Sequence, residues 1–258
     1  MRFLKVISVL VLGVLLYFAS NLLYAAPVPC CCKPRYHHPH RLYFDLGVGK
    51  TYDFASSNSF LENNGLILGN LNTLTSYSTP FFFIGLGYQW TQDSQWFPYL
   101  NVGLQHRYTA PVNVAGISNT ASIGITNYTY RMQQESWLIM TKTDIYKWKR
   151  FMPYLTAGMG ASFNRISQLF INAPDLANQL AGSTTHTGDF SYSFGAGIDF
   201  IVKDDFWLSL GYFFDDFGKN KIDKVFANEA GPGFSLGELK NASLHANSFY
   251  LKARYLFA

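Results

Sequence analysis

The stretch "FSYSFGAGIDF", Phe190–Phe200, alternates without a break. Phe190, Tyr192, Phe194, Ala196, Ile198 and Phe200 share one parity; Ser191, Ser193, Gly195, Gly197 and Asp199 share the other. Successive side chains of a strand point to opposite faces, so the pattern predicts a strand with one greasy and one small, polar side. That polar side carries no Lys or Glu, which usually cover a sheet in water. What solvent the greasy side meets therefore decides the fold.

The same alternation recurs upstream. Leu42, Phe44, Leu46 and Val48 oppose Tyr43, Asp45, Gly47 and Gly49, and Phe82, Ile84, Leu86, Tyr88 and Trp90 oppose Gly85, Gly87 and Gln89. Eight such segments are expected, near 41–54, 79–90, 98–110, 128–146, 152–165, 189–202, 206–217 and 245–257. "FPYLNVGL" from Phe97 and "MPYLTAGM" from Met152 repeat one strand opening, each with a proline where a missing donor does little harm. The links after the second, fourth and sixth segments are short: "TQDSQWF", "KWKRF" and "KDD". Those after the others are long and rich in Asn, Ser, Thr and Gly. Alternating short and long links are the signature of an up-and-down barrel in an outer membrane, with short periplasmic turns and long external loops. An even strand count places both termini on the periplasmic side. An open sheet edge in hydrocarbon would strand backbone groups at several kcal/mol each, so the last segment is expected to pair with the first.

Composition supports the membrane. Of 258 residues, 17% are aromatic and 14% charged, the latter well below the ~25% of soluble domains. Trp90, Trp96, Phe97, Tyr146, Trp148, Phe151, Phe206, Trp207 and Phe257 fall near the short-turn ends; Tyr52, Phe54, Tyr108, Phe163, Phe190 and Phe214 fall at the opposite ends. Two aromatic girdles of this kind flank an apolar band ~25 Å tall. A soluble ligand-carrying barrel would turn the greasy face inward and leave an exterior poor in charge, so the outward arrangement fits better.

Arg2 and Lys5 precede an apolar run from Val6 to Tyr24, the layout of a secretory signal, with cleavage expected after Ala25. The expected organisation is a signal at 1–25, a Cys/His-rich periplasmic tail at 26–40 and a barrel at 41–258. The formal charge of +4 falls to about +2 without Arg2 and Lys5, too little to imply nucleic-acid binding.

On the polar parity, Asp45, Arg107, Lys142, Asp144, Asp199, Lys252 and Arg254 are expected to converge in the lumen, among glycines and small polar residues. Arg or Lys on the lipid face at the midplane would cost ~2–4 kcal/mol. Mixed signs predict pairing, because isolated buried charges are expensive. An eight-stranded interior is only wide enough for side chains to fill, which favours a plug over an ion path.

"RLYFDLGVG", "PYLNVGL", "PYLTAGMGASF", "FSYSFGAGIDF" and the terminal "FYLKARYLFA" together resemble the small outer-membrane β-barrel proteins, the group that includes the OmpA transmembrane domain, OmpX, OmpW and opacity-type surface proteins. The resemblance spans roughly residues 41 to 258. It implies residence in the bacterial outer membrane, contact with outer-membrane lipids, and an insertion signal at Tyr255 and Phe257 resembling the one read by the insertion machinery; Ala258 after Phe257 departs from the usual aromatic end. It does not imply one activity, since fold does not settle function.

Cys30, Cys31, Cys32, His37, His38 and His40 are weak metal candidates. Adjacent cysteines do not readily wrap one tetrahedral centre, and a tail with one disulfide or an intermolecular link is the simpler reading, so no metal or cofactor is expected. His186 with Asp189, Asp215 with Asp216, and His245 with Ser248 are the catalytic candidates, none with a nucleophile, base and orienting group, so no enzyme is expected. The connections 55–78, 111–127, 166–188 and 218–244 are expected as external loops. Within them Ala173–Gly182 reads as a short helix, and "GLILGNL" and "FSLGEL" as apolar loop patches. The expected function is a non-enzymatic barrel that displays these loops for envelope integrity or for recognising an extracellular ligand or host surface. The alternative is an OmpW-like narrow channel for small or apolar molecules.

Overall fold

A computed structural model of the chain describes residues 40–52, 58–63, 66–73, 77–92, 94–120, 124–172, 180–182, 184–218, 221–222, 225–227, 238–241 and 244–257. All regular structure among them is β: β1 (His40–Tyr52), β2 (Asn58–Asn63), β3 (Leu66–Thr73), β4 (Ser78–Thr91), β5 (Tyr99–Thr120), β6 (Gly124–Asp144), β7 (Phe151–Asn172), β8 (Leu180–Gly182), β9 (Thr185–Lys203), β10 (Phe206–Asp216), β11 (Lys221–Ile222), β12 (Val225–Ala227), β13 (Glu238–Asn241) and β14 (His245–Leu256). The expected signal and the expected tail up to residue 39, with Cys30, Cys31, Cys32, His37 and His38, lie outside the described residues; His40, the last residue of that tail, begins β1.

Eight of these strands close an antiparallel ring: β1, β4, β5, β6, β7, β9, β10, β14 and back to β1. Closure leaves no edge for lipid to meet, which is the condition for spanning a bilayer with strands. Following paired residues once round, from Leu42 through Tyr88, Val102, Thr141, Ala157, Phe194, Phe214 and Asn247, returns to β1 at Tyr52. The stagger from Leu42 to Tyr52 tilts the strands by about 40° and sets the wall about 8 Å from the axis, given strand spacings near ~4.8 Å and rises near ~3.3 Å.

The short-turn end is tied together by backbone. Trp96 bridges Tyr146 and Trp148 bridges Phe151. Phe97 N–H donates to Ile145 O at 2.9 Å, and Phe257 N–H donates to Leu42 O at 2.9 Å.

The other end departs from the expectation of four loops. Strands β5, β6 and β7 run for 22, 21 and 22 residues, about twice the ~9–11 a bilayer needs. Much of 111–127 and the start of 166–188 are therefore continuations of the wall. Strands β3 and β8 pair with the far ends of β5 and β7, and β2, β13, β11 and β12 add to them. "GLILGNL" forms most of β3 rather than a loop patch, and the end of "FSLGEL" enters β13. The helix expected over Ala173–Gly182 is contradicted at Leu180–Gly182, which is strand paired to both β7 and β12; the rest of it lies outside the described residues. Strand pairing, local to β7 and long-range to β12, overrides the Pro…Gly signal there.

Between the last β4 pairing on β5, at Thr109, and the first β3 pairing, at Gly116, no strand among the described residues covers that side of β5. Side chains stand in. Thr79 Oγ1 donates to Ala110 O at 2.9 Å, and the Tyr77 hydroxyl donates to Ala115 O at 2.6 Å while accepting from Ala115 N–H.

Candidate functional site

Parity separates wall from lumen on every stave. Leu46, Leu86, Ile139, Leu155, Phe194, Ile198, Leu210 and Leu251 are exposed outward, whereas Asp45, Asn101, Lys142, Asp144, Asp199, Arg107, Lys252 and Arg254 are buried inside. A charged lumen within a greasy wall is the inverse of a soluble barrel.

The lumen is layered. At the short-turn end Tyr43, Tyr99, Met152, Trp207 and Leu256 pack as a floor. Trp207 thus turns inward rather than joining the girdle, because its parity on β10 is that of Ser209 and Gly211. Above the floor lies the charge layer. Arg254 grips Asp45 with Nε on Oδ1 at 2.7 Å and Nη2 on Oδ2 at 2.8 Å, the planar fork that suits a carboxylate. Its Nη1 donates to Asn101 Oδ1 at 2.5 Å, and Asn101 Nδ2 reaches Asp144 Oδ2 at 3.5 Å. Lys142 contacts Asp199 directly and lies 3.2 Å from Asp144. Lys252 lies 3.4 Å from Asp45. Aromatic faces sandwich these cations: Arg254 sits 3.9 Å from the Tyr43 ring centre and Lys142 4.5 Å from that of Tyr154.

A second apolar layer follows, built from Phe81, Phe83, Leu138, Met140, Phe213 and Tyr250. The interior is therefore not filled only by small residues. The glycines make room for rings: a Cβ on Gly47 would strike Phe83, and one on Gly211 would strike Tyr250 and Tyr154, whose hydroxyls bond each other at 2.6 Å.

Arg107 stands apart from the other six expected charges. It pairs with Asp215 at 2.5 Å, between the rings of Phe213 and Phe81. Ser248 Oγ donates to Asp215 Oδ2 at 3.4 Å and lies 3.1 Å from Thr51 Oγ1. Asp215 was legible as lumenal from the parity Trp207, Ser209, Gly211, Phe213, Asp215, but grouping it with Asp216 hid this. Among the described residues, the lumenal cations Arg107, Lys142, Lys252 and Arg254 thus meet Asp45, Asp144, Asp199 and Asp215. A cavity of about 30 Å³ remains beside Gln105, Lys142, Lys252 and Arg254, room for two or three waters at roughly 10–15 Å³ each.

The catalytic candidates are split by the same alternation. His186 and Asp216 are on outward positions while Asp189 and Asp215 turn inward, and His245 is exposed where Ser248 is buried. His245 instead lies 3.3 Å from Asp216. His40, the one metal candidate among the described residues, is exposed and stacks on Tyr88. Tyr255 and Phe257 point outward, edge to face at 5.1 Å.

A family model described as the outer membrane protein beta-barrel domain matches residues 25–257. No curated protein matches the chain in sequence. Among solved structures, the outer membrane protein OprG from Pseudomonas aeruginosa is similar at 12% identity and a TM-score of 0.49, over 84% of this chain and 97% of that one. Neisserial surface protein A is similar at 12% identity and a TM-score of 0.42, again over 84% and 97%. The outer membrane protease OmpT from Escherichia coli is similar at 9% identity and a TM-score of 0.44, over 85% and 98%.

Proposed function

The chain belongs to the outer-membrane protein β-barrel family, and from that premise we propose that it is a non-enzymatic anchor holding a surface sheet above the bacterial outer membrane. The long connections face outward and both termini face the periplasm. The observation that carries this reading is the filled lumen: among the described residues, paired charges lie between two aromatic layers beside a cavity sized for a few waters. The extended β5, β6 and β7, with β2, β3, β8 and β13 attached, supply a rigid platform for surface recognition or envelope integrity.

Planar-bilayer recording of the purified protein tests the plug. The reading expects no stable conductance; frequent, long-lived openings would instead favour a narrow channel. Removing residues 58–73 and 221–241 tests the display role, with the expectation that envelope robustness or surface binding falls while the barrel still inserts. Unchanged robustness and unchanged binding would remove the display role.

A further inference from the structure

Two arginines on the outer wall have no ion-pair partner among the described residues, and the stagger of the barrel explains why they stand together. Arg131 on β6, Arg165 on β7 and His186 on β9 are exposed and share the outward face. Arg165 is paired directly with Gln133 and with His186, and Arg131 is paired with Ser167. In a straight sheet Arg131 and Arg165 would be diagonal neighbours about 7–8 Å apart. With about 40° of tilt, each stave in this order is lifted by about 3 Å relative to the one before. Arg131, Arg165 and His186 therefore fall within about 3 Å of one another in height.

Their level is informative. The next outward residue below Arg165 is Phe163, and Phe190 and Trp137 lie on the neighbouring staves; all three are exposed. The Cα of Arg165 thus stands about 5 Å above that of Phe163, the highest of the three rings. Among the described residues neither arginine has an acidic side chain within ion-pairing distance. Glu135, the acid on the same face of β6, is paired with Phe163; it lies about 8 Å below Arg165 and about 10 Å below Arg131 down the wall.

We propose that Arg131, Arg165 and His186 bind the phosphate of an outer-leaflet lipid headgroup whose acyl chains lie against Phe163 and Phe190. Two guanidinium forks match phosphate oxygens bidentately, and the imidazole adds a further donor. A soluble anion would gain nothing from the apolar wall beneath; a lipid gains both contacts. The inference rests on the membrane-spanning reading, and not on the filled lumen or the displayed sheet.

Native mass spectrometry of the full chain in detergent micelles, offered diphosphorylated lipid A, its dephosphorylated form or inorganic phosphate, tests it. One diphosphorylated lipid should be retained, and the dephosphorylated form should bind at least tenfold more weakly. The double variant Arg131→Ala/Arg165→Ala should also lose at least tenfold, Arg131→Lys/Arg165→Lys should lose less, and Lys50→Ala on the opposite wall should lose nothing. Equal retention of both lipids, or full retention by the double alanine variant, would overturn the site. Inorganic phosphate bound as tightly as the lipid would overturn the lipid assignment. Unheated-versus-boiled electrophoresis of the same samples keeps the two readings apart: a closed barrel that retains no lipid refutes the site alone, whereas a chain without heat-dependent mobility refutes the membrane reading.

Discussion

Replacing Asp45 by Ala removes the carboxylate that holds two lumenal cations at once. Arg254 meets it through two N–H groups at 2.7 and 2.8 Å, and Lys252 lies 3.4 Å away. At a charge separation near ~4 Å and an effective dielectric near ~20, each attraction is about 4 kcal/mol before desolvation. Desolvation of the carboxylate offsets part of that, and breaking a buried pair typically costs ~3–5 kcal/mol because the remaining charge is left uncompensated. Asp45→Ala should therefore lower unfolding free energy by about 3–5 kcal/mol, near the upper end since two cations are orphaned. Arg254→Met should cost a similar amount, but the double variant Asp45→Ala/Arg254→Met should cost much less than the sum, a coupling of about 2 kcal/mol or more. Urea unfolding in phospholipid vesicles measures all three. A single-variant loss under about 1 kcal/mol, or strict additivity in the double variant, would show that the Asp45 network does not hold the lumen closed.

Four further outcomes follow from the same geometry. Gly211→Leu should destabilise the barrel by about 1–3 kcal/mol or prevent its closure, because the new side chain occupies the space of the Tyr154 and Tyr250 rings; the heat needed to abolish fast gel migration reports it. Tyr77→Phe should speed amide exchange at Ala115 by about fivefold, since the lost hydrogen bonds contribute about 1 kcal/mol net; unchanged exchange would mean the hydroxyl does not replace a strand. Nitroxide labels at Phe194 and Ile198 should be relaxed by dissolved oxygen and shielded from an aqueous relaxant, and Phe194→Arg should cost about 2–4 kcal/mol. Water-accessible labels at both positions would invert the assignment of inside and outside.

Much of this was written locally in the chain. Period-two alternation located eight staves and sorted Leu46 from Asp45, Ile198 from Asp199 and Leu251 from Lys252, because side-chain direction in a strand depends only on parity. Alternating short and long links ordered the staves, and scarce charge chose lipid as the outer solvent. The three-dimensional ladder decided the rest. Parity marks Arg107 and Asp215 as lumenal, but which carboxylate each cation meets follows from the stagger between Leu42 and Tyr52, a sum over eight inter-strand registers that no single segment encodes. The same stagger sets Arg131, Arg165 and His186 at one height. Leu66–Thr73 and Leu180–Gly182 became strands for a related reason: β5, which pairs with the first, and β12, which pairs with the second, are distant in sequence, and pairing to a strand edge outweighs a local turn or helix preference. Strand direction is a property of neighbours along the chain; register and ion pairing are properties of neighbours across it.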